Sequence, residues 1–254
     1  MNPTLSPEAA RESANDRGIS DSFESPGWYL DRFAANIRVR AETVAALTGG
    51  KSVGRVLDIG CGDGSLSCQL LARATDVTFL DPSAAMLRRV AARARGQGPA
   101  LAHYVNCGFM EALLPTAGFD LVLCVGVLAY VADPGPFLAK VCAVLAPGGR
   151  LVLECTDASH FLSRVDRAYA GAMALAGRGR FETHPHPATA VLAEAEARGL
   201  RLQAVFRYAY GFPVVSRLLS QRETYRLIRR IFGNVADNRR SRFGNQLLLS
   251  LERS

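Results

Sequence analysis

Short apolar runs alternate with helical patterns between Arg55 and Cys155, and this rhythm constrains the chain more than any other feature. Arg55–Gly60 (RVLDIG), Val77–Leu80 (VTFL), Ala102–Val105, Phe119–Val125 (FDLVLCV) and Leu151–Cys155 read as strands. Leu66–Ala74, Ser83–Arg95 and Pro136–Leu145 read as helices, the second capped by Ser83 and the third stopped by Pro147-Gly148-Gly149. Strands that are apolar throughout are buried on both faces. The pattern therefore predicts an α/β fold, a mostly parallel sheet with helices on both sides.

The flanks extend this core. Residues 1–24 are polar and poor in large apolar groups, which predicts a disordered tail. Leu30, Phe33, Ile37, Val44 and Leu47 then recur at helical spacing, predicting a cap helix over 26–48 that ends at Gly49-Gly50. After Cys155 we expect a helix over Phe161–Ala176, a loop over 177–187 and a helix over Ala188–Arg198 closed by Gly199. A strand over Leu200–Tyr208, an amphipathic helical stretch over Val214–Phe232 and a last strand over Gln246–Leu251 complete the chain. Residues 25–254 are thus expected to form one domain, with a core over 51–210 and 244–252 and an insertion at 211–243. That insertion and the cap helix would form a lid.

Composition narrows the function classes. No apolar run approaches the ~20 residues of a membrane-spanning helix. The first residues lack a basic start and an apolar segment, so a cytoplasmic protein is expected. The six cysteines form no CxxC pair and have no histidine at ligand spacing, so they read as reduced, structural thiols and not as a metal site. The net charge of +7 is almost all arginine, Lys51 and Lys140 being the lysines. It reflects either codon usage or a preference for anionic partners.

The sharpest local signal is Asp58-Ile59-Gly60-Cys61-Gly62-Asp63-Gly64, directly after one strand and before a predicted helix. Glycines there allow a tight turn and close approach of a ligand, and a helix N-terminus would add unpaired N–H groups. A dinucleotide site would carry a glycine where Ser65 stands. Here the third glycine comes one residue early, and Asp58 precedes the turn. A carboxylate at that place suits an ammonium-bearing ligand better than a pyrophosphate; an ordinary glycine-rich turn without ligand is the competing reading. Asp81, at the predicted carboxyl end of the next strand, could accept both hydroxyls of a ribose or simply start a helix.

VLDIGCGDG, then FLDPSAAML, FDLVLCVGVLAYV and LAPGGRLVL, together resemble the class I S-adenosylmethionine-dependent methyltransferases, small-molecule type, closely over about residues 50–155. The resemblance implies a Rossmann-like, doubly wound, seven-stranded sheet with a C-terminal antiparallel hairpin. It implies S-adenosyl-L-methionine as cofactor and S-adenosyl-L-homocysteine as product. Asp58, Gly60, Gly62 and Gly64 would hold the methionine part, Asp81 the ribose, and Pro82 and Met86 would pack near the adenosine. Many relatives carry an acid after the third strand for the adenine amino group. This chain has Gly108 or Phe109 at that place, leaving apolar and backbone contacts from Gly108, Phe109 and Met110. Cys124, Val125 and Gly126 would line the floor near the sulfonium.

The acceptor side offers Tyr130, after the fourth strand, and His184 and His186 in the THPHP loop. Tyr29, beside Trp28 in the cap helix, is a further catalytic candidate, and Arg38 and Arg40 could reach the cofactor carboxylate. Packing roles compete with each of these. No Asn/Asp-Pro-Pro-aromatic motif follows the fourth strand, and no acidic cluster of the magnesium-binding type is evident. Arg217, Arg222, Arg226, Arg229, Arg230, Arg239, Arg240 and Arg242 cluster between the last two strands. They form a solvated basic face, a site for an anionic acceptor, or a peripheral membrane contact. The expectation is metal-independent methyl transfer to an oxygen or nitrogen of a small molecule: a secondary metabolite, a quinone-like ring or a lipid. The alternatives are an RNA methyltransferase, although no RNA-binding module is visible, and a non-catalytic cofactor-binding protein.

Overall fold

The computed structural model describes residues 27–50, 52–175, 183–209 and 219–254. The expected tail over 1–24, residues 177–182 of the expected loop and 211–218 of the expected insertion lie outside the described residues.

Seven strands form one sheet: β1 (Gly54–Ile59), β2 (Ala74–Leu80), β3 (Leu101–Val105), β4 (Phe119–Cys124), β5 (Leu145–Thr156), β6 (Leu200–Tyr208) and β7 (Gln246–Arg253). Their order is β3-β2-β1-β4-β5-β7-β6. The pairs from β3 through to β5 are parallel, while β7 runs antiparallel between β5 and β6. The expected doubly wound sheet with a closing antiparallel hairpin is the one observed. Its direction of growth reverses between β1 and β4, and the crevice beyond their carboxyl ends is where open α/β sheets bind ligands.

The helices are α1 (Gly27–Arg32), α2 (Ala34–Thr48), α3 (Ala84–Ala94), α4 (Pro134–Val144), α5 (Phe161–Leu175), α6 (Ala188–Ala197) and α7 (Gln221–Phe232). Alternate strand residues feed two apolar layers. Leu57, Val122, Leu153 and Leu249 pack with Phe137 and Val141 of α4 and Val191 of α6. Val56, Phe79, Leu123, Leu248 and Phe206 pack with Val39 of α2, Val90 of α3 and Ile228 of α7. The six cysteines are free, five of them buried. Burial pushes the Cys61, Cys68, Cys124 and Cys155 thiols up, which keeps them protonated and inert.

Four elements differ from expectation. The cap helix breaks at Phe33, and the Ala35 N–H near the new start of α2 donates to Gln221 Oε1 of α7 at 3.0 Å. The helix expected over Leu66–Ala74 is a five-residue 3-10 turn, Cys68–Ala72. Because β2 begins at Ala74, too little chain remains for an α-helix, and the expected helix N-terminus beside the glycine turn is absent. α4 starts two residues early: the Asp133 side chain accepts from Gly135 N, and Pro134 takes the first position. α7 starts at Gln221, where Ser220 and Glu223 form a reciprocal capping box.

Candidate active site

Asp58 is buried in β1, paired with Phe79 of β2 and Leu123 of β4. Its Oδ2 has no hydrogen-bond partner. Burial pushes its carboxyl up to about 7, with the Ser67 hydroxyl opposing the shift and the Asp81 carboxylate adding to it. A buried carboxylate oxygen without a donor is costly, and a ligand ammonium placed there would supply the donor.

The turn that follows is built from three left-handed glycines, Gly60, Gly62 and Gly64, with φ of 63°, 54° and 73°. A Cβ at Gly60 would run into Val127, and one at Gly64 into Val90 and Cys68. A Cβ at Gly62 would meet nothing within 4 Å, so this face of the turn lies open. Asp81 braces the turn. Its Oδ2 accepts from Gly62 N and its Oδ1 from Ser83 N, both at 2.9 Å. Ser83 caps α3 by accepting from Met86 N at 3.2 Å. Two residues missed in sequence hold this corner. Asn106 Nδ2 donates to the Asp81 and Pro82 carbonyls at 3.0 and 2.9 Å. Arg93 Nε donates to the Asp63 carbonyl at 2.9 Å, and its Nη2 lies 2.5 Å from the Asp63 carboxylate. Both project from neighbouring elements, so neither carries a local signal.

The other expected residues fall as follows. Pro82 is exposed and the Met86 side chain buried. The Phe109 ring is buried edge-on against Phe137, with Lys140 Nζ 5.3 Å from its centroid. Met110 is exposed, and its carbonyl accepts from Lys140 Nζ. Cys124 ends β4, fully buried, followed by half-buried Val125 and Gly126.

A Cβ at Gly126 would stand 3.4 Å from Arg40 Nη1, so the cap helix does reach the floor of the crevice. Arg40 Nε donates to Glu154 Oε1 of β5 at 2.9 Å, and Nη2 lies 2.5 Å from Oε2. The Tyr208 hydroxyl is 3.0 Å from Glu154 Oε1 and 2.6 Å from Asn36 Oδ1. Glu154 and Tyr208 were also missed; one acid within the apolar run LVLEC was the available signal. Arg38 instead turns outward, its guanidinium 3.9 Å from the Tyr225 ring centroid and bonded to Glu42.

The THPHP loop is stitched to the turn after β4. His184 N donates to the Ala129 carbonyl at 2.7 Å, and His186 Nε2 lies 2.8 Å from the Val131 carbonyl. His184 thus stands beside the backbone of Tyr130 at the sheet's carboxyl edge. The His186 ring is engaged in holding the loop. Tyr29 falls in α1, but its side chain lies outside the described residues. Among the described residues, no three His, Cys, Asp or Glu side chains are grouped to hold a metal ion.

The crevice, its glycine turn and its two acids can be set against known proteins. Residues 56–149 match a family model described as a methyltransferase domain. Over this segment the chain is similar to methyltransferase domains. The chain is 37% identical over 98 residues to an uncharacterized methyltransferase of Mycobacterium tuberculosis, covering 39% of this chain and 48% of the relative. It is 36% identical over 100 residues to a ubiquinone biosynthesis O-methyltransferase of Bradyrhizobium sp., covering 39% of each. The chain therefore spans less than half the length of these curated relatives. The fold extends beyond the domain match. The crystal structure of magnesium protoporphyrin IX methyltransferase from Synechocystis, with bound S-adenosyl-L-homocysteine, superposes on 94% of this chain and 100% of that one, with a TM-score of 0.63 and 16% identity.

Proposed function

We propose that the chain transfers the methyl group of S-adenosylmethionine to an oxygen or nitrogen of a small-molecule acceptor. The observation that carries this reading is the orphaned Oδ2 of Asp58, buried beside a glycine turn whose Gly62 face is open. Asp58 and Gly60, Gly62 and Gly64 would hold the methionine part, with Asp81 on the ribose. Pro82, Met86 and the Gly108-Phe109-Met110 turn would border the adenosine. Cys124, Val125 and Gly126 would form the floor.

When bound, the cofactor supplies an electrophilic methyl group on a sulfonium, so a metal is not required for activation. The protein's part is to align the acceptor and keep water out. His184, carried beside Tyr130 by the Ala129 contact, is the candidate to take the acceptor's proton, with the Tyr130 hydroxyl as a second donor or acceptor. Tyr29, in α1, is proposed as a further catalytic residue. The lid formed by α1, α2 and the segment around α7 would close over the acceptor. The relative named for ubiquinone biosynthesis supports a quinone-like ring among the acceptor classes.

Calorimetric titration with S-adenosylhomocysteine tests the reading. Asp58→Ala and Asp81→Ala are each expected to weaken binding by about 1–3 kcal/mol. Unchanged affinity in both variants would overturn the assignment.

A further inference from the structure

A feature outside the cofactor corner stands on the same carboxyl edge of the sheet. β5 ends at Thr156 and α5 begins at Phe161, so the first turns of α5 rise from that edge. Leu162 and Ser163 face inward and are buried. Phe161, Arg164 and Val165, at spacings of three and four, face outward as one stripe. Phe161 is 53% exposed and Val165 52%.

The turn Ser241–Phe243 is fastened beside this stripe. His160 Nε2 lies 2.9 Å from the Arg242 carbonyl, and Asn245 Nδ2 donates to Ser163 Oγ at 3.1 Å. Phe243 is 41% exposed, with the Arg242 guanidinium 4.8 Å from its ring centroid. Arg240 sits in the left-handed region, φ 46°, with its side chain exposed. The acids nearby are committed elsewhere: Asp166 to Asn245, and Asp237 to Arg239. Among the described residues, no carboxylate pairs with Arg164, Arg240 or Arg242.

Single exposed apolar side chains are ordinary on a protein surface. Here two exposed phenyl groups and an isopropyl group lie on two segments fastened to each other, and the exposed Arg164, Arg240 and Arg242 on those same segments have no carboxylate partner among the described residues. We propose that this face docks on an anionic phospholipid surface. The hydrocarbon groups would enter the boundary between headgroups and acyl chains while the arginines stay at the phosphates. A single-stranded nucleic acid would use the cations and the rings, but it leaves Val165 without a role. Docking here would turn the carboxyl edge, and with it the mouth of the crevice, toward the bilayer. The inference stands whether or not the chain transfers methyl groups.

The test is cosedimentation of the full chain with vesicles of phosphatidylglycerol and phosphatidylcholine, and with vesicles of phosphatidylcholine alone. A titration with single-stranded RNA runs in parallel. Each arginine near an anionic surface is worth roughly fivefold in partitioning, so the pair Arg164→Glu/Arg242→Glu should lower binding at least about 25-fold. The pair Phe161→Ser/Phe243→Ser should lower it at least about tenfold. Thermal melting by circular dichroism checks that each variant is folded, and Arg242→Gln alone, with a smaller loss expected, serves if a pair melts early. Binding to anionic vesicles alone, lost in the folded variants, supports the proposal. It is overturned by no vesicle binding, by equal binding to both vesicle types, by variants that bind like the parent, or by uptake of RNA in place of vesicles.

Discussion

The glycine turn and the region where α2 meets β5, β6 and α7 hold their polar groups over very different chain distances. Around the turn, Asp63 and Ser65 meet across two residues, Asp81 and Ser83 across two, Gly62 and Asp81 across 19, and Asn106 and Asp81 across 25. Around α2, Arg40 meets Glu154 across 114 residues, Tyr208 meets Asn36 across 172, Ala35 meets Gln221 across 186, and Arg229 meets Glu42 across 187. The glycine-turn corner is a short-range structure that each βα unit largely makes for itself. The α2 region is assembled only when segments more than 100 residues apart meet.

The largest expected effect probes the α2 region. Glu154→Gln leaves a buried guanidinium without its carboxylate, and urea unfolding should show a loss of about 3–5 kcal/mol. The double replacement Arg40→Leu/Glu154→Leu should recover much of that loss, because two apolar groups need no partner. If the single variant costs nothing, the long-range pair does not hold these segments together.

Next come two glycines of the turn that differ in surroundings. Gly64→Ala combines a left-handed backbone with contacts to Val90 and Cys68, an expected loss of about 2–5 kcal/mol in unfolding free energy. Gly62→Ala meets only the backbone cost, about 1–2 kcal/mol, yet its new methyl points into the open face. It should therefore weaken S-adenosylhomocysteine binding beyond its effect on stability. Equal stability losses would mean the turn is not packed as described.

The smallest contrast compares two helix caps. Ser83→Ala and Ser220→Ala should each cost about 1 kcal/mol in stability. Ser83→Ala keeps the backbone N–H that Asp81 accepts from but frees the first turn of α3 beside it, so a small loss of S-adenosylhomocysteine affinity is expected there and none for Ser220→Ala.

The same contrast explains what could be read from sequence. RVLDIG, VTFL and FDLVLCV carry their burial in their own composition, and Leu200–Tyr208 was bounded as observed because Gly199 and the alternation are local. The Ser83 cap and the DIGCGDG turn were equally legible. The break at Phe33 was not, because it is tied to a contact from Gln221 near the other end of the chain. The 3-10 turn was missed because the start of β2 limits the helix, whereas the periodicity of Leu66–Ala74 does not. Asp133-Pro134 is a local start signal for α4, two residues ahead of the Pro136 that the apolar pattern marks. In the site, the two acids and three glycines were visible, while Arg93, Asn106, Glu154 and Tyr208 act through partners that no local pattern names.

Asp58 provides the most direct test. Its folded pKa, about 7, lies above its ordinary value of 3.8, so the folded chain holds an extra proton between those limits. Folding stability from this group therefore falls as pH rises from about 4 to about 7, and Asp58→Asn should remove that slope. A bound ammonium favours the ionised carboxylate, so the linkage reverses for binding. Titration of the folded protein with S-adenosylhomocysteine should show affinity about fivefold weaker at pH 6 than at pH 7. In Asp58→Asn it should be weak and flat with pH. A folded parent protein that takes up no S-adenosylhomocysteine at either pH, or an Asp58→Asn variant that binds as tightly as the parent, would contradict the account.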